Sequence, residues 1–168
     1  MRLAALLLLI ATTASAQWEI EDSHTTASLR GIHNIGGGVA WASGTGGTVL
    51  RTLDDGKTWQ TCPIPLAGTK DTAEKLDFRG IQAFDENTAI VMSSGPGDQS
   101  RLYKTTDGCQ TWKMVMTSKN PKGFWDVLQF QQKDYGLLGS KGCAVLVGDP
   151  VEGAFDVQVS IDVLDKYQ

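Results

Sequence analysis

Thr52-Leu53-Asp54-Asp55-Gly56-Lys57-Thr58-Trp59 recurs downstream as Thr105-Thr106-Asp107-Gly108-Cys109-Gln110-Thr111-Trp112. Thr52 and Thr105, Asp54 and Asp107, Thr58 and Thr111, and Trp59 and Trp112 are all related by one offset, 53 positions. At nearly that distance again, Ser160, Asp162 and Tyr167 hold a hydroxyl, a carboxylate and an aromatic in the same order, without the glycine. A Thr-x-Asp ahead of a glycine reads as a tight turn. The short polar side chains bond nearby backbone N–H groups, and a residue such as Gly56 takes up the positive φ that others resist. The aromatic that follows opens the next strand and packs back over the turn.

The segments between the turns repeat as well. Leu29-Arg30-Gly31-Ile32 is answered by Phe78-Arg79-Gly80-Ile81, the run Val39 to Gly44 by Ala89 to Gly95, and Val49-Leu50-Arg51 by Leu102-Tyr103-Lys104. Each apolar run is short and bounded by glycine-rich turns, the spacing of antiparallel strands and not of helices. A third unit starts at Phe124-Trp125-Asp126-Val127, passes through Tyr135 to Gly139 and Gly148-Asp149-Pro150, and reaches the alternation Val157, Val159, Ile161, Val163. The predicted fold is therefore all-β, built from β-propeller blades of four antiparallel strands, with about three blades present.

The expected organisation is a signal peptide over 1–16, a closure strand and linker over 17–28, blade 1 over 29–66 and an inter-blade loop over 67–75. Blade 2 follows over 76–118 and an incomplete blade 3 over 119–168. Propellers close with roughly 4–8 blades, so three do not complete a ring. The sequence is expected to be the N-terminal part of a larger propeller; several chains sharing one ring, or an open array, are the alternatives.

The N-terminus carries Met1-Arg2, the apolar run Leu3 to Ala11 and the small-residue site Ala14-Ser15-Ala16, the features of a cleaved export signal. The apolar run is too short for a spanning helix, so no stable membrane anchor is expected after cleavage. Localisation is expected to be exported, periplasmic or extracellular. A net charge of −4 and the lack of any basic run argue against a nucleic-acid partner. Cys62, Cys109 and Cys143 show neither C-x-x-C spacing nor neighbouring histidines, so no metal and no cofactor is expected. One cysteine pair is open to the chain, its members unassigned.

The repeated pattern resembles the Asp-box (BNR) repeat of the sialidase-like superfamily, on Thr52 to Trp59 and, with Cys109 in the glycine's place, on Thr105 to Trp112. The resemblance implies a hairpin-closing turn away from the ligand face. Thr52, Asp54, Gly56, Trp59, Thr105, Asp107, Trp112, Ser160, Asp162 and Tyr167 are then structural and not catalytic. EF-hand-type calcium binding does not fit, since these turns lack alternating oxygen ligands with a closing acid. Arg30 and Arg79 hold equivalent places at the head of the innermost strands and are the candidates for binding an anion or a carboxylate-bearing partner; Trp125 is expected at that place in the third unit. His24 and His33 are expected at the surface or in turns.

Sialidases in this superfamily also carry a Phe/Tyr-Arg-Ile-Pro motif and a Tyr/Glu pair. Here Phe78-Arg79-Gly80-Ile81 has an inserted glycine and no proline, and no Tyr/Glu pair can be assigned. The run from Leu29 to Phe155 is more similar to exported propellers of the photosystem II assembly/stability-factor kind. That resemblance implies a non-catalytic scaffold for a protein partner. The alternative is a sialidase-like glycoside hydrolase or a carbohydrate-binding propeller.

Overall fold

The computed structural model describes residues 19–65, 75–119, 121, 124–132, 135–139, 143–148 and 155–158. Twelve strands are found among them: β1 (Leu29–Gly36), β2 (Val39–Gly44), β3 (Val49–Thr52), β4 (Gln60–Thr61), β5 (Asp77–Ala83), β6 (Ala89–Ser94), β7 (Arg101–Thr105), β8 (Lys113–Thr117), β9 (Val127–Gln132), β10 (Tyr135–Gly139), β11 (Cys143–Gly148) and β12 (Phe155–Gln158). They form three four-stranded sheets, each in sequence order: β1 to β4, β5 to β8 and β9 to β12. Every pairing within them is antiparallel. The all-β, four-strand reading of the repeats is what the structure has.

Local chemistry explains the hairpins. Gly36 pairs with Val39 across a two-residue turn, Gly37-Gly38, whose φ angles of 62° and 84° are those a tight primed turn requires. In the two recurrent turns the same backbone is reached with the glycine in different places. Asp55 and Gly56 have φ of 61° and 92°, and Gly108 and Cys109 both have 66°. The left-handed pair of residues is shared, whereas the position of the glycine within it is not.

Alternation along the middle sheet buries both of its faces. Phe78, Ile81, Val91 and Tyr103 join Trp41, Val49, Cys62 and Ile64 in one core, between the first and second sheets. Ile90, Met92 and Leu102 face the other way, against Trp125 and Leu128 of the third unit. Trp41 and Trp112 meet edge to face at 6.3 Å, and Phe78 and Tyr103 do the same at 6.1 Å. Burial of each such large apolar side chain is worth roughly 1.5–3 kcal/mol. The three sheets therefore stabilise one another by stacking, with β5 beside both β1 and β9.

A disulfide adds a covalent tie. Cys62, just after β4, is bonded to Cys109 in the β7–β8 turn, with Cα atoms 5.4 Å apart. Both residues are buried, so the pair assigns the open cysteine partners and fastens the outer edge of the first sheet to the second.

Two features differ from the sequence reading. The third sheet has a fourth strand, because β12 pairs with β11 from Phe155 to Gln158 and takes in Val157, the first residue of the predicted alternation, whose remainder lies outside the described residues. Residues 19–28 form no strand. Glu19-Ile20-Glu21 enters no ladder among the described residues, and Ile20, which would have to be covered to favour a strand there, stands 98% exposed. The signal peptide expected at 1–16, most of the loop expected at 67–75, and Ser160, Asp162 and Tyr167 lie outside the described residues.

Candidate arginine face and the recurrent turns

The strands give the molecule two ends with different chemistry. At the end where β1 and β5 begin, the ladder skips one residue in each strand: Leu29 opposes Gly44 and Gly31 opposes Ser43, while Phe78 opposes Ser93 and Gly80 opposes Met92. The residues left over are Arg30 and Arg79. A bulge of this kind bends the strand and re-aims the extra side chain, so both arginines leave their sheets at equivalent points.

The glycine after each arginine serves packing. A Cβ on Gly31 would lie 3.2 Å from the Arg79 carbonyl oxygen and 3.3 Å from the Ile81 nitrogen; one on Gly80 would lie 2.9 Å from Leu128 Cβ. Neighbouring first strands thus approach through the glycines, which explains the recurring Arg-Gly pair.

The arginines do not stand free. Arg30 Nε lies 2.8 Å from Asp77 Oδ1, Arg79 Nε donates to Asp77 Oδ2 at 3.0 Å, and Arg79 Nη1 donates to Asp126 Oδ1 at 3.1 Å. Arg79 also lies over the Phe124 ring at 5.6 Å. The result is an alternating row, Arg30, Asp77, Arg79, Asp126, running across the three units. The hydrogen bonds that Arg79 donates to Asp77 and then to Asp126 raise its pKa above the ordinary value. Side-chain exposures of 40%, 26%, 35% and 55% along the row leave it half in solvent, where such pairs contribute about 0–1 kcal/mol each. Its interest is therefore geometric more than energetic.

Sequence reasoning found the arginines and missed the aspartates. The signal was present: Asp77 and Asp126 are separated by the same 49 positions as Arg30 and Arg79. Trp125 does not take the arginine's place in the third unit. It precedes β9, its backbone N–H donates to Ser100 Oγ at 3.0 Å, and its ring packs on the core of Ile90, Met92 and Leu102; β9 then enters its ladder at Val127 opposite Gly139 with no bulge at that end.

The recurrent turns lie at the opposite ends of the strands. Thr52 Oγ1 donates to Asp54 Oδ1 at 2.8 Å and accepts the N–H groups of Asp54 and Gly56 at 3.3 and 3.0 Å. Asp54 in turn accepts the Thr58 N–H at 2.9 Å and the Thr58 hydroxyl at 2.7 Å. The second turn repeats each bond: Thr105 to Asp107 at 2.9 Å, Cys109 N–H to Thr105 at 3.1 Å, and Thr111 N–H and hydroxyl to Asp107 at 2.9 and 2.5 Å. Donation chiefly from Thr58, by hydroxyl and then backbone, holds the Asp54 carboxyl below its ordinary pKa. The equivalent bonds from Thr111 bring Asp107 down to about 2.

Each turn is also tied to the first hairpin of its sheet, Asp55 N–H to the Gly38 carbonyl at 2.9 Å and Gly108 N–H to the Asn87 carbonyl at 3.0 Å. Trp59 and Trp112 are half-buried beyond the turns, Trp112 against Trp41.

Of the histidines, His24 is exposed beside Asp22, at a positive φ of 53°. His33 is not a turn residue. It lies within β1, 2.8 Å from Gln82 Nε2 on β5, and burial lowers its pKa. Among the described residues no group of three or more His, Cys, Asp or Glu side chains is placed to hold a metal ion.

No family model and no curated protein matches the sequence. Among solved structures the chain is similar to YCF48 bound to D1 peptide, at 19% identity and a TM-score of 0.64, over 86% of this chain and 45% of that one. It is also similar to YCF48 from Cyanidioschyzon merolae, at 18% identity and a TM-score of 0.66, over 91% of this chain and 47% of that one. The chain thus spans slightly less than half the length of these neighbours, and the likeness, together with the three stacked four-stranded sheets, makes its fold that of a partial β-propeller.

Proposed function

We propose that the chain is part of an exported, non-catalytic β-propeller of the photosystem II assembly-factor kind that binds a protein partner through the face carrying Arg30 and Arg79. The observation that carries this reading is the arrangement at the start of β1 and β5. Two arginines, each expelled by a bulge, stand side by side across a blade boundary, with the exposed Phe124 ring beside them. Guanidinium groups with free terminal nitrogens suit a carboxylate, and an aromatic neighbour suits an adjoining apolar side chain. The neighbour's peptide-bound state supports a peptide or protein as the ligand class.

The recurrent turns, read as Asp boxes, are structural in this proposal. Their carboxylates are occupied by hydroxyl and N–H donors of the same turn, a poor arrangement for acid–base work. Export is supported by the Cys62–Cys109 disulfide, since such bonds persist mainly in oxidising compartments. The sialidase-like alternative receives no support from the arginine pair, which is partly neutralised by Asp77 and Asp126.

Fluorescence anisotropy with a labelled D1 peptide tests the proposal. The chain should bind it, and an Arg30→Ala/Arg79→Ala variant of unchanged fold should lose at least tenfold in affinity, about 1.4 kcal/mol. Equal affinity would remove the arginines from the binding surface.

A further inference from the structure

We infer that Asp77 is a positioning residue for this face, a carboxylate that aligns two arginines of different blades so that their outer edges together receive one carboxylate of the partner. The inference rests on the binding reading above and adds a residue to it. Asp77 uses both oxygens and divides them: Oδ2 accepts the Arg79 Nε–H at 3.0 Å, while the buried Oδ1 is ion-paired with Arg30 Nε at 2.8 Å without an aligned hydrogen bond. Each contact engages the inner edge of a guanidinium. The two terminal nitrogens of Arg30 and Nη2 of Arg79 have no hydrogen-bond partner among the described residues.

The other restraints on Arg79 point the same way. Asp126 takes its Nη1 at 3.1 Å and Phe124 lies against its plane. Asp77 is also less exposed than either arginine, 26% against 40% and 35%, so it lies beneath the two guanidiniums and not over them. An arginine fixed before binding loses less conformational freedom on binding, and two fixed in parallel present a receiver that neither forms alone.

A contrary role makes the opposite prediction. If Asp77 only competed with an incoming carboxylate, removing its negative charge would tighten binding. If it aligns the arginines, removing it weakens binding although the face becomes more positive.

The probe is a labelled six-residue peptide whose only carboxylate is its C-terminus, with its C-terminal amide as control. Affinities are measured for the intact chain, Asp77→Asn and Asp77→Ala; the asparagine variant, close in shape, covers the case in which the alanine variant does not fold. The expected result is about tenfold weaker carboxylate binding in the variants, with the amide bound weakly by all. Equal or tighter binding by the variants would overturn the inference.

An independent readout is the exchange of the two arginine Hε protons by NMR. A slowly exchanging Arg79 Hε signal that is lost in Asp77→Asn together with a shift of the Arg30 Hε signal, with the rest of the spectrum unchanged, supports the alignment; fast exchange of the Arg79 Hε in the intact chain, or an Arg30 signal that does not move in Asp77→Asn, overturns it. Should the intact chain not distinguish acid from amide peptide, the binding proposal fails, and the Hε exchange alone decides whether Asp77 aligns the arginines.

Discussion

Asp107 and Asp77 are both aspartates held by hydrogen-bonding or ion-pair partners, but those partners come from different distances along the chain. Those of Asp107 are Thr105 and Thr111, within four positions. Those of Asp77 include Arg30 of another blade, and its partner Arg79 reaches on to Asp126 of a third unit. The first arrangement closes on itself and has little left to offer a ligand. The second is wired between blades, with guanidinium edges still open to solvent. A carboxylate repeated with its donors beside it marks a turn, whereas one with a charged partner on another blade marks a surface the whole fold has assembled.

That contrast is sharpened first by the disulfide, the one covalent long-range tie at the turn end among the described residues. Cys62→Ala/Cys109→Ala should lose about 4 kcal/mol, the chain-entropy value for a closed loop of this length, measured by denaturant unfolding. A loss below about 1 kcal/mol would mean that sheet stacking alone holds the second turn in place. Next in size is Gly80→Ala, whose new Cβ would meet Leu128 Cβ at 2.9 Å. About 1–3 kcal/mol of destabilisation is expected from overpacking between β5 and β9, and no change in the melting temperature would show that the first strands are less tightly apposed.

Thr105→Val removes a buried hydroxyl that accepts the Cys109 N–H and donates to Asp107. It should cost about 1–2 kcal/mol while leaving peptide binding unchanged; coupled loss of binding would break the separation of the two ends. The smallest effect is on pH dependence. Because the folded Asp107 titrates at about 2, below an ordinary aspartate near about 3.9, the folded state favours its ionised form. Its contribution is complete above about pH 4 and fades as pH falls toward about 2. Asp107→Asn should therefore flatten the loss of stability over that interval, and an unaltered acid limb would contradict the bonding seen in the turn.

The same difference in range explains what was legible beforehand. Thr52, Asp54, Thr58 and their copies lie within one short window, so the repeat and the alternation between its turns sufficed to predict four-stranded sheets. Arg30 and Arg79 were visible as equivalent residues, though not the bulges that aim them, because a bulge is a property of pairing with β2 and β6. The disulfide could not be assigned, since Cys62 and Cys109 meet only through the stacking of two sheets. His33 was misplaced for a like reason: its partner Gln82 belongs to the neighbouring blade. Asp77 and Asp126 were the one long-range feature with a local clue, their spacing matching that of the arginines.

The most direct test is a side-by-side anisotropy titration of the labelled D1 peptide against the intact chain, Arg30→Ala/Arg79→Ala and Asp54→Ala/Asp107→Ala, all at a temperature where each remains folded. The expected result is a loss of at least tenfold in the arginine variant alone. Equal binding by all three, or a loss confined to the turn variant, would contradict placement of the binding surface at the arginine end.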